Sequence, residues 1–518
     1  MKILVISLLR LGDFVQTVPV LQALRTQFPV RRLDVLTHEP ARALQPMIPD
    51  VNRWWTIDRD GLQEGLGRAD IPLLASFSVL REKLDEINAQ NYDCIINLTQ
   101  THYSAWIAGY LRTHNRAGLF FDARGQMHVH SPWFQYLDEH APLSVKDVFH
   151  YTDIFFYGSG LKGPERHWNM HETDEGRREV AALKLGDGEK IVLQTLTSDT
   201  KKNWADTSWL KCIRQIQLFR PQAQFVLLGA PSEQRKIEKL VIEAQKQGVK
   251  AQEAILSLEG AFSLLKSSQL LITGDTSIKH LANATAIPII ELSIGSSDFR
   301  RTGVYKAGSL IVQSSVDCAP CPHSSPCSQT THKCAKQLSP DLVSTLAHQS
   351  LAGNPFALRE LAREYSSEAR ILQTRMTANG YWIACGLHDQ APEALVEKMV
   401  ERSTWKFLLN REYMDPLAQF GSEGLYLKQE LDDVLPRQAF SEVARHLDFL
   451  ESEASKLAEE TMKQLTSVRL RSPRLTEEGL ADIGGLRRAQ AQLERFSSQA
   501  QIKVKLIRSL KSQLMEKT

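Results

Sequence analysis

Short, wholly apolar runs alternate with amphipathic stretches over the first 350 residues, and this alternation constrains the chain most. Lys2–Ser7 (KILVIS), Leu33–Leu36, Asp93–Leu98 (DCIINL), Lys190–Gln194 (KIVLQ), Gln224–Gly229 (QFVLLG), Gln269–Thr273 (QLLIT) and Ile287–Leu292 (IPIIEL) read as strands. Apolar side chains at successive positions face both sides of a sheet, as parallel strands covered by helices require. Helical periodicity lies between them, in Phe14–Phe28 and Ser232–Gln247. Alternating β and α elements predict an α/β fold of doubly wound sheets. The polar stretch Glu172–Lys190 separates two such series, so two Rossmann-like domains facing across a cleft are expected, over residues 1–180 and 188–350.

Composition closes off other classes. Hydrophobic residues make up 42% and charged residues 24% of 518 positions, which is ordinary for a globular chain and excludes disorder throughout. With 62 Lys+Arg against 60 Asp+Glu, the chain as a whole is no polyanion binder. Nucleic acid is therefore not an expected partner, and anion binding would be local. No run approaches the ~18 apolar residues of a membrane span. The opening MKILVISLLRLGD is broken by Arg10, Gly12 and Asp13 and lacks a small-x-small cleavage site, so it reads as a buried strand rather than a signal peptide. The expected compartment is the cytosol, where thiols stay reduced.

The character changes at Gly353-Asn354-Pro355, where Asn354 can cap a helix and Pro355 suits its first turn. An all-α extension is expected over 355–518. Phe440, Val443, Leu447, Leu450, Ala454 and Leu457 form a heptad seam. Leu493, Phe496, Ala500, Ile507, Leu510 and Leu514 continue it with Lys503 at the missing position. Ser472-Pro473 and Gly484-Gly485 break the chain between the two seams, which predicts an antiparallel helical hairpin packed as a core rather than a dimer zipper. Lys503, Lys505, Arg508, Lys511 and Lys517 make the last helix basic; a solvated face is the primary reading and peripheral contact with anionic lipid the second.

Three loops carry candidate chemistry. Gly12-Asp13 follows the first strand, where the crevice of a doubly wound sheet lies. Gly12 permits a tight turn, and Asp13 either caps the next helix or serves as a general base. Thr195–Trp204 (TLTSDTKKNW), with Thr197, Ser198 and Lys202, is a hydroxyl-rich loop ending in two lysines. Such a loop can cradle phosphate, although it lacks P-loop glycines. Asp275-Thr276-Ser277-Ile278-Lys279-His280 follows a strand and opens a helix whose free N–H groups suit a diphosphate.

In order and interval these loops resemble the ADP-heptose:lipopolysaccharide heptosyltransferases, glycosyltransferase family nine, of GT-B fold. The matching elements are Gly12-Asp13 with Thr17 and Pro19, then Lys202-Asn203-Trp204, then Gly229 with Glu233, then Asp275-Thr276 with His280, Ala282 and Pro288. The resemblance spans roughly residues 1–345. It implies Asp13 as catalytic base, Lys202 on the donor diphosphate and Glu233 on the donor ribose. It further implies Thr276 and Ser277 donating to phosphate, and Asp275 and His280 orienting the donor. The implied reaction is inverting transfer of heptose from ADP-heptose to a lipopolysaccharide-core glycolipid, with no cofactor or metal for catalysis. Ser277 stands where the family has Gly, and Lys279 adds a charge beside His280.

Cys318, Cys321, Cys327 and Cys334 place four of seven cysteines within 17 residues, with His323 and His332 nearby. A closed structural zinc site, or iron, is expected over free thiols or two disulfides. The resemblance implies the same, since some protein-modifying members hold iron there. Two alternatives stand beside the glycolipid reading: a protein O-heptosyltransferase and a non-catalytic nucleotide-sugar or glycan-binding scaffold. Trp54-Trp55 is expected in the core, and Arg116-Ala117-Gly118 resembles an acceptor-side segment of the family.

Overall fold

The computed structural model describes residues 1–62, 75–140, 149–323, 325–377, 380–388, 392–410, 427–429, 431, 440–470 and 480–515. They form two compact units, one spanning Met1–Met376 with Gly380–His388, the other carrying the C-terminal helices.

The first unit holds two sheets. One contains β1 (Lys2–Ser7), β2 (Arg32–His38), β3 (Arg53–Ile57), β4 (Cys94–Asn97), β5 (Asn115–Phe121) and β6 (Met127–His130), in the order β3-β2-β1-β4-β5-β6. The other contains β7 (Lys190–Gln194), β8 (Gln224–Gly229), β9 (Ala251–Ile255), β10 (Leu270–Thr273), β11 (Ile289–Ser293), β12 (Leu310–Ser314), β13 (Ala369–Met376) and β14 (Trp382–Gly386), in the order β14-β13-β12-β11-β10-β7-β8-β9. Pairing is parallel except at β5–β6, β12–β13 and β13–β14. The predicted two-sheet α/β architecture is therefore present. In each sheet the chain steps outward on one side of its first strand, then returns to the other side. That reversal makes a topological switch point between β1 and β4 and another between β7 and β10, where crevices form at strand carboxyl ends.

Every expected strand is present within a residue or two of its predicted bounds, because residues apolar on both faces fit only a covered parallel strand. Ile3–Ile6 are at most 1% exposed. The strands that the sequence reading missed, such as β3, β9 and β12, are short or carry polar residues on one face. The helix expected over Phe14–Phe28 is two helices, α1 (Leu11–Val15) and α2 (Val18–Gln27). Thr17 Oγ1 donates to Phe14 O at 2.7 Å, closing α1, and Pro19 sits in the first turn of α2, where its missing N–H costs nothing. Trp55 is buried and donates to Tyr92 Oη (3.0 Å), as a core residue should, while Trp54 packs on Phe14. Arg116 donates to the carbonyls of Ala108, Leu111 and Thr113, so here it holds the end of the preceding helix.

The segment expected to be helical from 355 contains two strands. Asn354 does cap the predicted helix, α6 below (Pro355–Glu364), by accepting from Ala357 N at 3.1 Å. Beyond it β13 and β14 extend the second sheet antiparallel. Their sequences, ARILQTRM and WIACG, mix helix formers with β-branched and aromatic residues, and pairing with β12 decides the outcome.

The second unit contains α7 (Pro392–Leu409), α8 (Phe440–Leu470) and α9 (Leu480–Met515). The seam is buried at Val443, Leu447, Leu450 and Ala454 on α8 and at Ala500, Ile507 and Leu510 on α9, joined by Leu506. Leu457 is 47% exposed and ends it. Gly484-Gly485 does not break the chain, since α9 runs through both, and Ser472-Pro473 lies outside the described residues. The basic run is partly solvated, with Lys505 and Arg508 exposed, and it also pairs with acids of the neighbouring helices. Lys503 pairs with Glu401 (3.1 Å), Arg508 with Glu451 (2.7 Å), and Lys511 with Asp448 (2.5 Å) and Glu451 (3.0 Å). Lys517 lies outside the described residues. No helix among the described residues is long and apolar enough to cross a membrane. Leu447→Ala should destabilise this unit by about 2–5 kcal/mol, the usual cost of a cavity at a fully buried leucine, read by chemical denaturation.

Candidate active site

Three labels complete the helices: α3 (Tyr151–Gly158), α4 (Ser277–Ala282) and α5 (Lys333–Gln337). α1 follows β1, and α4 follows β10, so each opens at a switch point. The two helices meet. A Cβ on Gly12 would lie 2.9 Å from His280 Cδ2 and 3.2 Å from Ser277 Cα, so only glycine allows this approach. The close contact expected of a glycine in α4 is thus supplied from the facing lobe. Ser277 needs no unusual backbone, because Thr276 enters the helix extended, at φ −132° and ψ 166°.

Further contacts tie the lobes together. The His150 imidazole Nε2 meets Gly303 O (2.9 Å), while within the first lobe the Trp168 indole N–H donates to Val15 O (3.2 Å). Asp153 on α3 accepts from Tyr305 Oη (2.6 Å) and pairs with Arg166 (3.3 Å), both charged side chains being 1% exposed.

Asp275 is the hub of a charged cluster. Its Oδ2 accepts from Lys202 Nζ (2.6 Å) and its Oδ1 from Lys279 Nζ (2.6 Å). Lys279 is wholly buried and reaches on to Glu291 Oε1 at 2.9 Å, while Val304 N donates to Glu291 Oε2 at 2.7 Å. Burial opposes ionisation of Asp275, but the ammonium groups of Lys279 and Lys202 outweigh it and hold the carboxyl far below the usual range. Burial likewise pushes the His280 imidazole well down, and the Lys279 charge adds to this, so the ring is neutral. Its Nε2 lies 3.8 Å from Asp275 Oδ1 and its buried Nδ1 has no protein partner.

Asp13 accepts from Gln16 Nε2 at 3.1 Å. Burial, then the negative charge of Asp275, pushes its pKa from 3.8 up to about 6, against the pull of Arg10, Lys202 and Lys279. Those charges act on it because α1 packs against α4. Gln16 Oε1, Gln194 Oε1, Thr195 Oγ1 and Ser7 Oγ are also buried without protein partners, around strand carboxyl ends. Unsatisfied buried polar atoms are costly in a native protein unless water or a ligand completes them.

The remaining expected residues are placed as follows. Thr276 Oγ1 caps α4, accepting from Lys279 N (3.4 Å) and lying 3.1 Å from Thr273 Oγ1. Thr197 Oγ1 donates to Asp199 O (2.6 Å), and its methyl lies against Gly274, where a Cβ would come within 3.2 Å of it. Ser198 is exposed on the same loop. Glu233 ends a short turn after β8, half-buried, and accepts from Ala230 N at 2.9 Å, so it holds its own turn. β8 neighbours β7, which carries the Lys202 loop.

Cys318, Cys321, Cys327 and Cys334 line one small cavity with Ser328, His332, Lys201 and Gly295. All are free thiols, so the two-disulfide alternative fails. Burial pushes Cys321 and Cys334 up. Among the described residues, no group of three or more His, Cys, Asp or Glu is arranged to hold a metal ion. The cysteines therefore converge without forming the expected ligand geometry. Cys212 is a core residue, as expected, and Cys94 is half-buried.

Sequence reasoning missed the partners that complete the cluster. Glu291 carries a signal, a lone carboxylate in an apolar strand. His150, Gln194 and Gln16 carry none, since their roles depend on what folds against them.

Two parallel-dominated sheets, with a carboxylate on one lobe and a lysine-bearing cluster on the other, make an architecture of GT-B type. Comparison with known proteins carries this further. Residues 81–332 match the model of glycosyltransferase family 9 (heptosyltransferase). The chain is 23% identical over 299 residues to lipopolysaccharide heptosyltransferase 3 of Escherichia coli, covering 55% of this chain and 80% of that one. It is 23% identical over 333 residues to lipopolysaccharide heptosyltransferase 1 of Pseudomonas aeruginosa, covering 62% and 86%. The structure of E. coli ADP-heptose LPS heptosyltransferase II superposes with a TM-score of 0.50 at 16% identity, over 68% of this chain and 99% of that one, which bears on the fold. Over residues 81–332 the chain is thus similar to the heptosyltransferases of glycosyltransferase family 9.

Proposed function

We propose that the enzyme transfers heptose from ADP-heptose to a lipopolysaccharide-core acceptor with inversion at the anomeric carbon. The observation that carries this is Asp13, held by the Gly12 contact beside the opening of α4 and the Lys202–Asp275 pair. Asp13 accepts the acceptor hydroxyl proton as that oxygen bonds to the anomeric carbon and the bond to the diphosphate oxygen breaks. A pKa near 6 makes it a stronger base than an ordinary aspartate while leaving it ionised at neutral pH. Lys202 and the Thr276 and Ser277 amides neutralise the departing ADP, with Thr197 and Ser198 beside them. Preorganised donors of this kind do the charge work without rearranging. The unpartnered His280 Nδ1 is completed by the donor. Glu233 holds the ribose after leaving its turn.

The four cysteines serve structure in this reading. They would hold zinc or iron once drawn together, supplying rigidity, and no step passes through them. The site of action is the cytoplasm, with glycolipid met at the inner membrane face. A protein acceptor is the second reading, favoured by the cysteine cavity and the helical unit.

Incubation with labelled ADP-heptose and separate lipid and protein fractions distinguishes the two. Label in lipid supports the first reading and label in protein the second. A thermal-shift panel should show ADP and ADP-sugars raising the melting temperature, since a ligand bound only to the native state stabilises it. Stabilisation by uridine or guanosine sugars but not by ADP-sugars would sink the donor assignment.

A further inference from the structure

We propose that Lys201 is a positioning residue: it ties the loop carrying Lys202 to the cysteine-bearing segment, so that this segment sets donor affinity. The inference rests on the reading of Lys202 and Asp275 as the donor site.

Lys201 and Lys202 are adjacent and chemically alike, yet they face opposite ways. Lys201 Nζ donates to the carbonyls of Ser325 (2.6 Å) and His323 (2.9 Å), with Pro322 O at 3.4 Å and the Asp199 carboxylate at 3.7 Å. An ammonium has three N–H groups, and these acceptors occupy them all. With a side chain only 16% exposed, Lys201 has no donor left for a phosphate. Lys202 turns to Asp275 instead.

The same segment reaches the loop elsewhere, through the turn after β11 and directly at Trp204. Cys321 N donates to Gly295 O (3.0 Å), and Ser296 Oγ donates to Asp199 (3.2 Å). The Trp204 indole N–H meets the carbonyls of Ala335 (3.0 Å) and Leu338 (3.1 Å), at and just beyond α5, which carries Cys334. Gly295 has φ +63°, and a Cβ there would lie 2.2 Å from Lys201 O, so the two backbones touch. Lys201 also forms part of the wall of the thiol-lined cavity. Without its tether the short turn Thr200–Lys202 loses its anchor, and ADP binding must then order Lys202 at its own cost.

The test measures ADP affinity by calorimetry and ADP-heptose kinetics on the full chain. Lys201→Met should weaken ADP binding and raise donor KM by about 5–20-fold, with kcat within about threefold, the signature of lost binding rather than lost chemistry. Lys201→Arg, which keeps the donors, should recover most of the affinity. ADP affinity within about twofold of wild type in Lys201→Met overturns the proposal, as does Lys201→Arg binding no better than Lys201→Met. Lys202→Ala tests the underlying reading. Wild-type ADP binding there removes the donor site itself, whereas loss there with none in Lys201→Met removes only the tether.

Discussion

In Asp13→Asn, kcat should fall by about 10²–10⁴-fold, the range over which a positioned general base acts. ADP affinity should hold or improve, because the amide keeps the shape and removes a negative charge facing the diphosphate. The wild-type rate should fall below about pH 6, where Asp13 takes up its proton. Stability moves the other way. The folded pKa of about 6 lies above the ordinary 3.8, so between these values the folded protein binds more protons than the unfolded chain. The site therefore favours folding most below about pH 4 and loses that contribution as pH rises through about 6. Asp13→Asn should accordingly melt about 2–5 °C higher than wild type at pH 8, with no advantage at pH 4. Wild-type turnover in the variant would remove Asp13 as the base. A melting temperature lower at pH 8 would show that its burial costs nothing.

Lys279→Met should destabilise the first unit by about 3–5 kcal/mol, the usual result of removing one member of a buried ion pair. Lys202 still serves Asp275, so Glu291 is left with the Val304 N–H alone. Stranded carboxylates take up protons, so the loss should be larger at pH 8 than at pH 5. Lys279 also holds the Asp13 pKa down, and without it the acid limb of the rate profile should move above pH 6. Adding Glu291→Leu should return much of the stability, because removing both partners leaves no unpaired charge. Denaturation of the single and double variants checks this. A single variant as stable as wild type, or a double variant no better than the single, would refute the network.

Lys279 also shows where sequence reasoning stops. Beside His280 it read only as an added charge. Its partner Glu291 lies 12 residues on, in a neighbouring strand, and only the packing of α4 against β11 joins them. The acid partners of the basic run of α9 were hidden for the same reason, because they sit on α7 and α8. β13 and β14 were missed because pairing with β12 overrides a weak local preference.

The sequence by itself determined the paired Rossmann-like sheets and the loops at their switch points that carry Asp13, Lys202 and Asp275. Apolar periodicity and loop chemistry are local properties, written into consecutive residues. Only the tertiary structure decided that Gly12 meets α4, that Lys279 is a buried counter-ion, that Lys201 and Lys202 divide their work, and that Asp13 titrates near 6. Each of these depends on which distant groups exclude water from one point, a quantity no stretch of consecutive residues contains.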